Sequence, residues 1–165
     1  MIMMRQYVGR GSELRKLISV ANYQFEAHAG KILFNRGIRI VHSRKTGRIR
    51  HIYLRKKLIA TLRPTDGLLA LTVDGATMLL KKIKRPRNRV IVQSDVSEYI
   101  RRGGDIFAKH IVGPSNSLRP AEEVLATDEE GRLIGVGSVL QSGNDMKHFK
   151  RGVAIRIRHG IDKRA

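Results

Sequence analysis

The sequence predicts an α+β chain in two parts. A small N-terminal α+β domain covers residues 1–80, a basic linker covers 81–89, and a β-barrel-like unit covers 90–165. Three observations predict this. Apolar residues recur at helical spacing near the start and then switch to the two-residue alternation of strands. Strand-like runs separated by turn chemistry dominate after residue 90. Charge divides unevenly: residues 1–89 hold 21 Lys+Arg and 4 Asp+Glu, a net of +17, whereas 90–165 hold 12 and 10, a net of +2. Such asymmetry marks a basic module joined to a nearly neutral one.

In chain order, Ser12 is a good N-cap, and Leu14, Leu17, Ile18, Ala21 and Phe25 share one helical face. After Gly30 the pattern reads as strands, first Lys31–Phe34 and then Gly37–Ser43, with Ile38 and Ile40 alternating with polar residues. A turn at Arg44–Gly47, with Gly47 suited to a positive φ, leads into Ile49–Leu54 and makes a hairpin. Two further strands, Leu58–Leu62 and Leu68–Val73, flank the turn Pro64–Gly67, and Ala76–Leu80 is too short to assign by period. Pro86 disfavours helix in Lys81–Arg89, which holds six basic residues in nine and reads as extended. Beyond it, Val90–Gln93 is a strand, Ser94 or Asp95 caps a short helix bearing Val96, Tyr99 and Ile100, and Gly103-Gly104 ends that helix. Strands follow at Ile106–Val112, Val124–Thr127, Leu133–Val139 and Val153–Ile157, with a hairpin turn at Asp128–Gly131.

The net charge of +19 over 165 residues calls for a polyanionic partner, because self-repulsion on this scale opposes a compact state. With 41% hydrophobic residues in ordered clusters, the chain is a folded protein and not a disordered one. The longest apolar run, Leu68–Val73 interrupted only by Thr72, falls far short of the roughly 20 residues of a membrane span. Met1–Gly9 has no signal-peptide character. The absence of cysteine removes disulfides, thiol nucleophiles and thiolate zinc sites, and a cytoplasmic setting fits.

Catalytic signals are weak. The six histidines, at 28, 42, 51, 110, 148 and 159, show no metal-ligand pairing, so neither metal nor other cofactor is expected. Asp66 and Asp74 are the one candidate general acid–base pair, but each precedes glycine, and Asp-Gly is first of all turn chemistry. Neither a phosphate-binding loop nor a nucleophile elbow occurs. The basic residues carry more information. Arg44, Lys45, Arg48 and Arg50 belong to a run to Lys57 with no acid in it. Arg48 and Arg50 would stand about 7 Å apart on one strand face, near the spacing of successive phosphates. Arginine outnumbers lysine 21 to 12, and its planar fork suits phosphate. Nucleic acid is therefore favoured over an anionic membrane, for which no suitable amphipathic helix is present.

Four segments of the C-terminal half then resemble the PUA domain of pseudouridine synthases and archaeosine transglycosylases. They are Gly103–Val112, Leu118–Leu125, Gly131–Gly137 and Phe149–Arg158, in the order the family shows. In the N-terminal half, Ala21–Phe25, Ser43–Arg50, Ala60–Gly67 and Asp74–Ala76 resemble the domain that precedes PUA in archaeal tRNA-guanine (archaeosine) transglycosylases, with Glu26 where glycine is expected. These residues leave no room for the family's catalytic barrel, with its paired aspartates and zinc.

The resemblance implies a PUA-like β pseudo-barrel that grips structured RNA, typically the acceptor-stem region of tRNA. Carried over residue by residue, the implied contacts are Arg101, Arg102, Gly103, Gly104, Asp105, Phe107, Lys109, Arg156 and Arg158, with core packing the competing role for Phe107. Glycine lets a phosphate backbone approach the main chain, and duplex RNA is read through backbone and 2′-hydroxyls, which suits a site poor in aromatics. The leading expectation is a non-catalytic protein that binds structured tRNA or rRNA, as an accessory to a separate catalytic transglycosylase subunit. The second is a ribosome-associated or assembly factor, and the third an enzyme using Asp66 or Asp74.

Overall fold

A computed structural model describes residues 11–113 and 116–163; Met1–Gly9 lies outside them. The chain forms two compact units that divide after Leu79.

The first unit packs helices on one four-stranded sheet. Helix α1 (Gly11–Gln24) buries Leu17 and Ala21, with Phe25 buried just beyond its end. Ser12 sits inside this helix and is not its cap. Lys31–Phe34, expected as a strand, instead lies largely in a second helix, α2 (Ala29–Leu33). Tertiary contact overrides the strand-like composition there. The Gly30 N–H donates to Asn22 Oδ1 (2.8 Å), and a Cβ on Gly30 would stand 2.5 Å from the Ile18 carbonyl oxygen, so α2 runs tightly against α1.

The sheet is an antiparallel meander of β1 (Ile38–His42), β2 (Ile49–Leu54), β3 (Lys57–Leu62) and β4 (Leu69–Leu71). Gln24 covers the free edge of β4: its Oε1 accepts the Leu69 N–H (2.6 Å) and its Nε2 donates to the Leu69 carbonyl (3.1 Å). Helix α3 (Val73–Lys82) follows, so Val73 and the unassigned Ala76–Leu80 are helical. Asp74-Gly75, expected as a turn, is the first turn of that helix. Thr72 sets it up, its Oγ1 accepting from the Gly75 N–H (3.2 Å) and donating to the Leu58 carbonyl (2.7 Å).

The basic stretch 81–89 occupies three settings. Lys81 and Lys82 end α3, while Arg89 opens β5 (Arg89–Val92) and donates through Nη1 to the Lys84 carbonyl (2.6 Å). Between them Asn88 is buried and donates to the Glu123 carbonyl (2.9 Å).

The second unit is one six-stranded mixed sheet that curls into a nearly closed barrel. Its remaining strands are β6 (Ile106–Phe107), β7 (Ile111–Gly113), β8 (Glu123–Thr127), β9 (Leu133–Val139) and β10 (Val153–Gly160). The order is β6-β10-β9-β8-β5-β7, with β5 and β8 parallel. The two edge strands are neighbours in sequence, joined only by a 3-10 turn at Ala108–His110, and this connection draws the edges together. The expected continuous strand Ile106–Val112 is broken by that turn. Ser94 and Asp95 lie in a further 3-10 turn, and helix α4 (Ser97–Arg101) follows Val96 without a side-chain cap. Gly103 closes α4 at φ +101°, with its N–H on the Ile100 carbonyl. Helix α5 (Gly143–His148) was not anticipated. Its signal was the capping pattern Ser142-x-x-Asp145, and Ser142 Oγ indeed accepts the Asp145 N–H (3.1 Å). The core joins Val90, Val92, Ile100, Ile106, Val124, Ala126, Ile134, Val139, Ala154 and Ile155.

Candidate nucleic-acid interface

In the first unit, the β1–β2 and β3–β4 turns fall at the same end of the meander by topology. They are also built alike. Ser43 N–H donates to the Arg48 carbonyl and Gly47 N–H to the Ser43 carbonyl; Arg63 N–H donates to Leu68 and Gly67 N–H to Arg63. Gly47 and Gly67 occupy the left-handed region at φ +68° and +71°. Between these turns and the start of α1 lies a cleft of about 780 Å³. Lys45, Arg48 and Arg50 line it, and the structure adds Lys16 from α1 and Arg63, which sequence reasoning did not single out. Arg44 belongs to the same turn but does not line the cleft. Helical phase against the sheet end is the signal for Lys16, and it becomes readable only once α1 is placed on the sheet. The acids that line this cleft are engaged: Glu13 meets His42 (2.7 Å) and Asp66 meets Arg63 (2.6 Å). The cleft therefore presents net positive charge.

Asp66 and Asp74 do not face one another. Asp66 is held at the C-terminal end of β3 by Arg63, whereas Asp74 meets Lys57 at its N-terminal end (3.3 Å). The length of that strand, about 16 Å, separates the two ion pairs. Among the described residues no group of His, Asp and Glu could hold a metal ion.

In the second unit, Asp105, Phe107 and Lys109 come together on a groove of about 290 Å³. Val96, Tyr99 and His110 complete it, and sequence reasoning missed them as site residues. Phe107 is 39% exposed, so it is not a core residue. Asp105 has a structural task, since its Oδ1 accepts the Ile157 N–H (2.9 Å) and ties the loop to β10. The groove wall depends on Gly104: a Cβ there would fall 2.2 Å from the Tyr99 ring.

The nominated arginines differ in availability. Arg156 is exposed on β10. Arg102 pairs with Glu98 (2.5 Å), both well exposed. Arg101 grips Asp162 through Nε and Nη2 (2.7 and 2.9 Å). That hydrogen bond holds the Asp162 carboxyl below its usual range and raises the guanidinium. Arg158 is turned inward onto Glu123, whose side chain is 0% exposed. A bulge explains the difference between Arg156 and Arg158: Ile157 pairs with Gly137 and His159 with Val136, so the register shifts at Arg158 and its side chain is re-aimed. Burial, with Arg50 adding to it, lowers the pKa of His51; burial also lowers that of His159, with Arg158 and Lys163 adding to it.

Two glycine substitutions separate groove shape from stability. Gly104→Ala should displace the Tyr99 ring, which is 58% exposed and free to swing, and so change ligand binding at little cost in Tm. Gly137→Ala places a Cβ 2.0 Å from the Arg156 carbonyl oxygen inside the sheet, where only backbone can yield. A Tm loss of roughly 5–15 °C is expected for it alone, read by thermal unfolding.

Residues 15–86 match the patch-forming domain C2 of tRNA-guanine transglycosylase, and residues 88–161 match the PUA domain. Among curated proteins, the chain is 38% identical over 151 residues to the tRNA-guanine(15) transglycosylase of Methanobrevibacter smithii, covering 92% of this chain and 23% of that protein. The corresponding protein of Thermococcus kodakarensis is 36% identical over 154 residues, covering 93% of this chain and 26% of its own length. The chain thus spans about a quarter of these relatives, their C-terminal region. Among solved structures, a hypothetical protein of Pyrococcus horikoshii superposes with TM-score 0.76 at 20% identity over 96% of both chains. A conserved PUA domain protein of Thermoplasma acidophilum superposes with TM-score 0.68 at 21% identity, over 96% of this chain and 94% of that one. These two likenesses concern fold.

Proposed function

We propose that this chain, which belongs to the PUA-domain proteins and is homologous to the C-terminal C2–PUA region of archaeal tRNA-guanine(15) transglycosylases, binds structured tRNA without catalysing a reaction of its own. The observation that carries the reading is the cleft of the first unit, where two matched turns and α1 gather Lys16, Lys45, Arg48 and Arg50 on a concave surface, with Asp66 held by Arg63 and Glu13 by His42. Phosphate contacts of this kind supply affinity and position, while the PUA groove supplies shape. The separation of Asp66 from Asp74, each held in its own ion pair, supports a binding role. The natural collaborator is a catalytic transglycosylase subunit acting on the same tRNA.

Titration of the purified chain with tRNA over a salt series tests this. Engagement of about four to six phosphates gives a slope of log affinity against log salt of roughly −3 to −5. Failure to bind tRNA at low salt would overturn the proposal. Base exchange or glycosidic hydrolysis by the chain alone, lost in Asp66→Asn, would instead show an enzyme.

A further inference from the structure

The four-stranded sheet of the first unit treats its two edges differently. Gln24 closes β4 with a pair of hydrogen bonds to Leu69. Strand β1, at the other edge, has β2 as its one neighbour in the sheet. Apart from that ladder, no main-chain group of Ile38–His42 is hydrogen-bonded to another described residue. An open edge is a row of unpaired N–H and C=O groups, which folded proteins ordinarily block. Here it runs beside a groove of about 540 Å³. Helix α2 ends at Phe34, whose N–H donates to the Gly30 carbonyl (2.8 Å), and the chain then turns back into β1. Buried Phe34 and Ile40, with half-buried Leu14 and Ile38, give the groove an apolar lining. Its charged residues are Lys31 and Arg36, both exposed. Neither has a carboxylate partner among the described residues.

We propose that the β1 edge accepts an extended acidic segment of a protein partner as a fifth strand. Ile38 and Ile40 stand two residues apart, about 7 Å along the strand. An incoming strand would set apolar side chains at positions i and i+2 against them and acids beside Lys31 and Arg36. Main-chain bonds to β1 would supply the affinity and these side chains the specificity. The inference goes beyond RNA binding, since none of these residues lines the cationic cleft or the second unit's groove. RNA fits the edge less well, because phosphates accept from its N–H groups but leave its carbonyls unpaired and the apolar lining wet. Charge also disfavours the two occupants nearest at hand. Residues 1–10 carry Arg5 and Arg10 and no acid, and a second copy would bring another first half of net charge +17 to this edge.

The test titrates the full chain, by fluorescence anisotropy, with a library of labelled peptides of the form acid-acid-apolar-x-apolar-x, with Val, Ile, Leu or Phe at the apolar positions. Binding is expected, and Lys31→Glu with Arg36→Glu should weaken it roughly 2- to 30-fold, the worth of two exposed ion pairs. A library with lysine in place of the acids should prefer that double variant to the parent, which separates lost charge from lost fold. The Tm of the variant should stay within about 3 °C of the parent, since both side chains are exposed. In a bound peptide, N-methylation of the amides facing β1, every second one, should cost roughly 2- to 10-fold each, and of the intervening amides nothing. Absence of binding by the library, or an equal effect of methylation on both sets of amides, would overturn the inference. So would a dimer of the chain that the double variant dissolves, which would give the edge to a second copy. A loss of tRNA affinity in that variant larger than its loss of peptide affinity would overturn it too, by placing RNA there. The parent chain's own tRNA titration is read separately, so the two readings fail independently.

Discussion

Replacing Lys45, Arg48 and Arg50 together by glutamine is expected to weaken tRNA binding by roughly 10²- to 10³-fold at 0.1 M salt, since each phosphate contact contributes a salt slope of about 0.9. The slope itself should fall by about 2.7. These three side chains line the cleft between the two matched turns, and their removal leaves Lys16 and Arg63 as its cations. The turn does not depend on them for its shape. The bonds that define it run between the backbone groups of Ser43, Gly47 and Arg48, so Tm should hold while affinity collapses. Because phosphates carry no sequence information, the loss should be the same for every structured RNA tested. A change in which RNA is preferred, at constant overall affinity, would show that the cleft reads bases. The variant also separates the two units' parts, since the net charge of residues 90–165 is only +2 and cannot supply the long-range attraction alone.

Much of this was legible in the sequence because the decisive features are local. The β1–β2 turn announces itself through Gly47 and the alternation on either side of it, and the second turn through Pro64–Gly67. Two such turns separated by two antiparallel strands must meet at one end of a sheet, so the cleft's sheet side follows from order, while its α1 side does not. What escaped was set by contacts between distant residues. Lys31–Phe34 has strand-like composition, yet Asn22 and Ile18 hold it as a helix. Asp74-Gly75 has turn composition, yet Thr72 bridges it to β3 and starts α3. Tyr99 joins the groove because Gly104 lets its ring lie flat, and no period in the sequence reports that fit. The cations were legible as a set, but not which of them face solvent.

Arg158 gives the sharpest case, and its replacement is expected to act on stability where that of Arg156 acts on binding. The two stand two residues apart on β10, and resemblance nominates both for RNA contact. The bulge at Arg158 turns its guanidinium onto the fully buried Glu123 carboxylate, with Nη1 to Oε2 at 3.1 Å and Nη2 closing on Oε1. Removing one partner of a buried pair costs about 3–5 kcal/mol, and access of water to Arg158, 31% exposed, reduces this to about 2–3 kcal/mol. Arg158→Met should therefore lower the Tm of the second unit by roughly 10–20 °C. Adding Glu123→Leu should recover most of that loss, because an apolar pair of similar volume removes the buried charge together with its partner. Thermal unfolding of the two single variants and the double closes the cycle and isolates the coupling. Arg156→Gln should leave Tm unchanged and lose roughly 8-fold in tRNA affinity at 0.1 M salt, the worth of one phosphate contact. The double variant at Arg158 and Glu123 decides the division of labour: if it regains its Tm and still binds tRNA as weakly as Arg156→Gln, Arg158 touches RNA as well, and the bulge serves two purposes. Full affinity in that stable double variant would assign Arg158 to the barrel and leave the phosphate contact on this strand to Arg156.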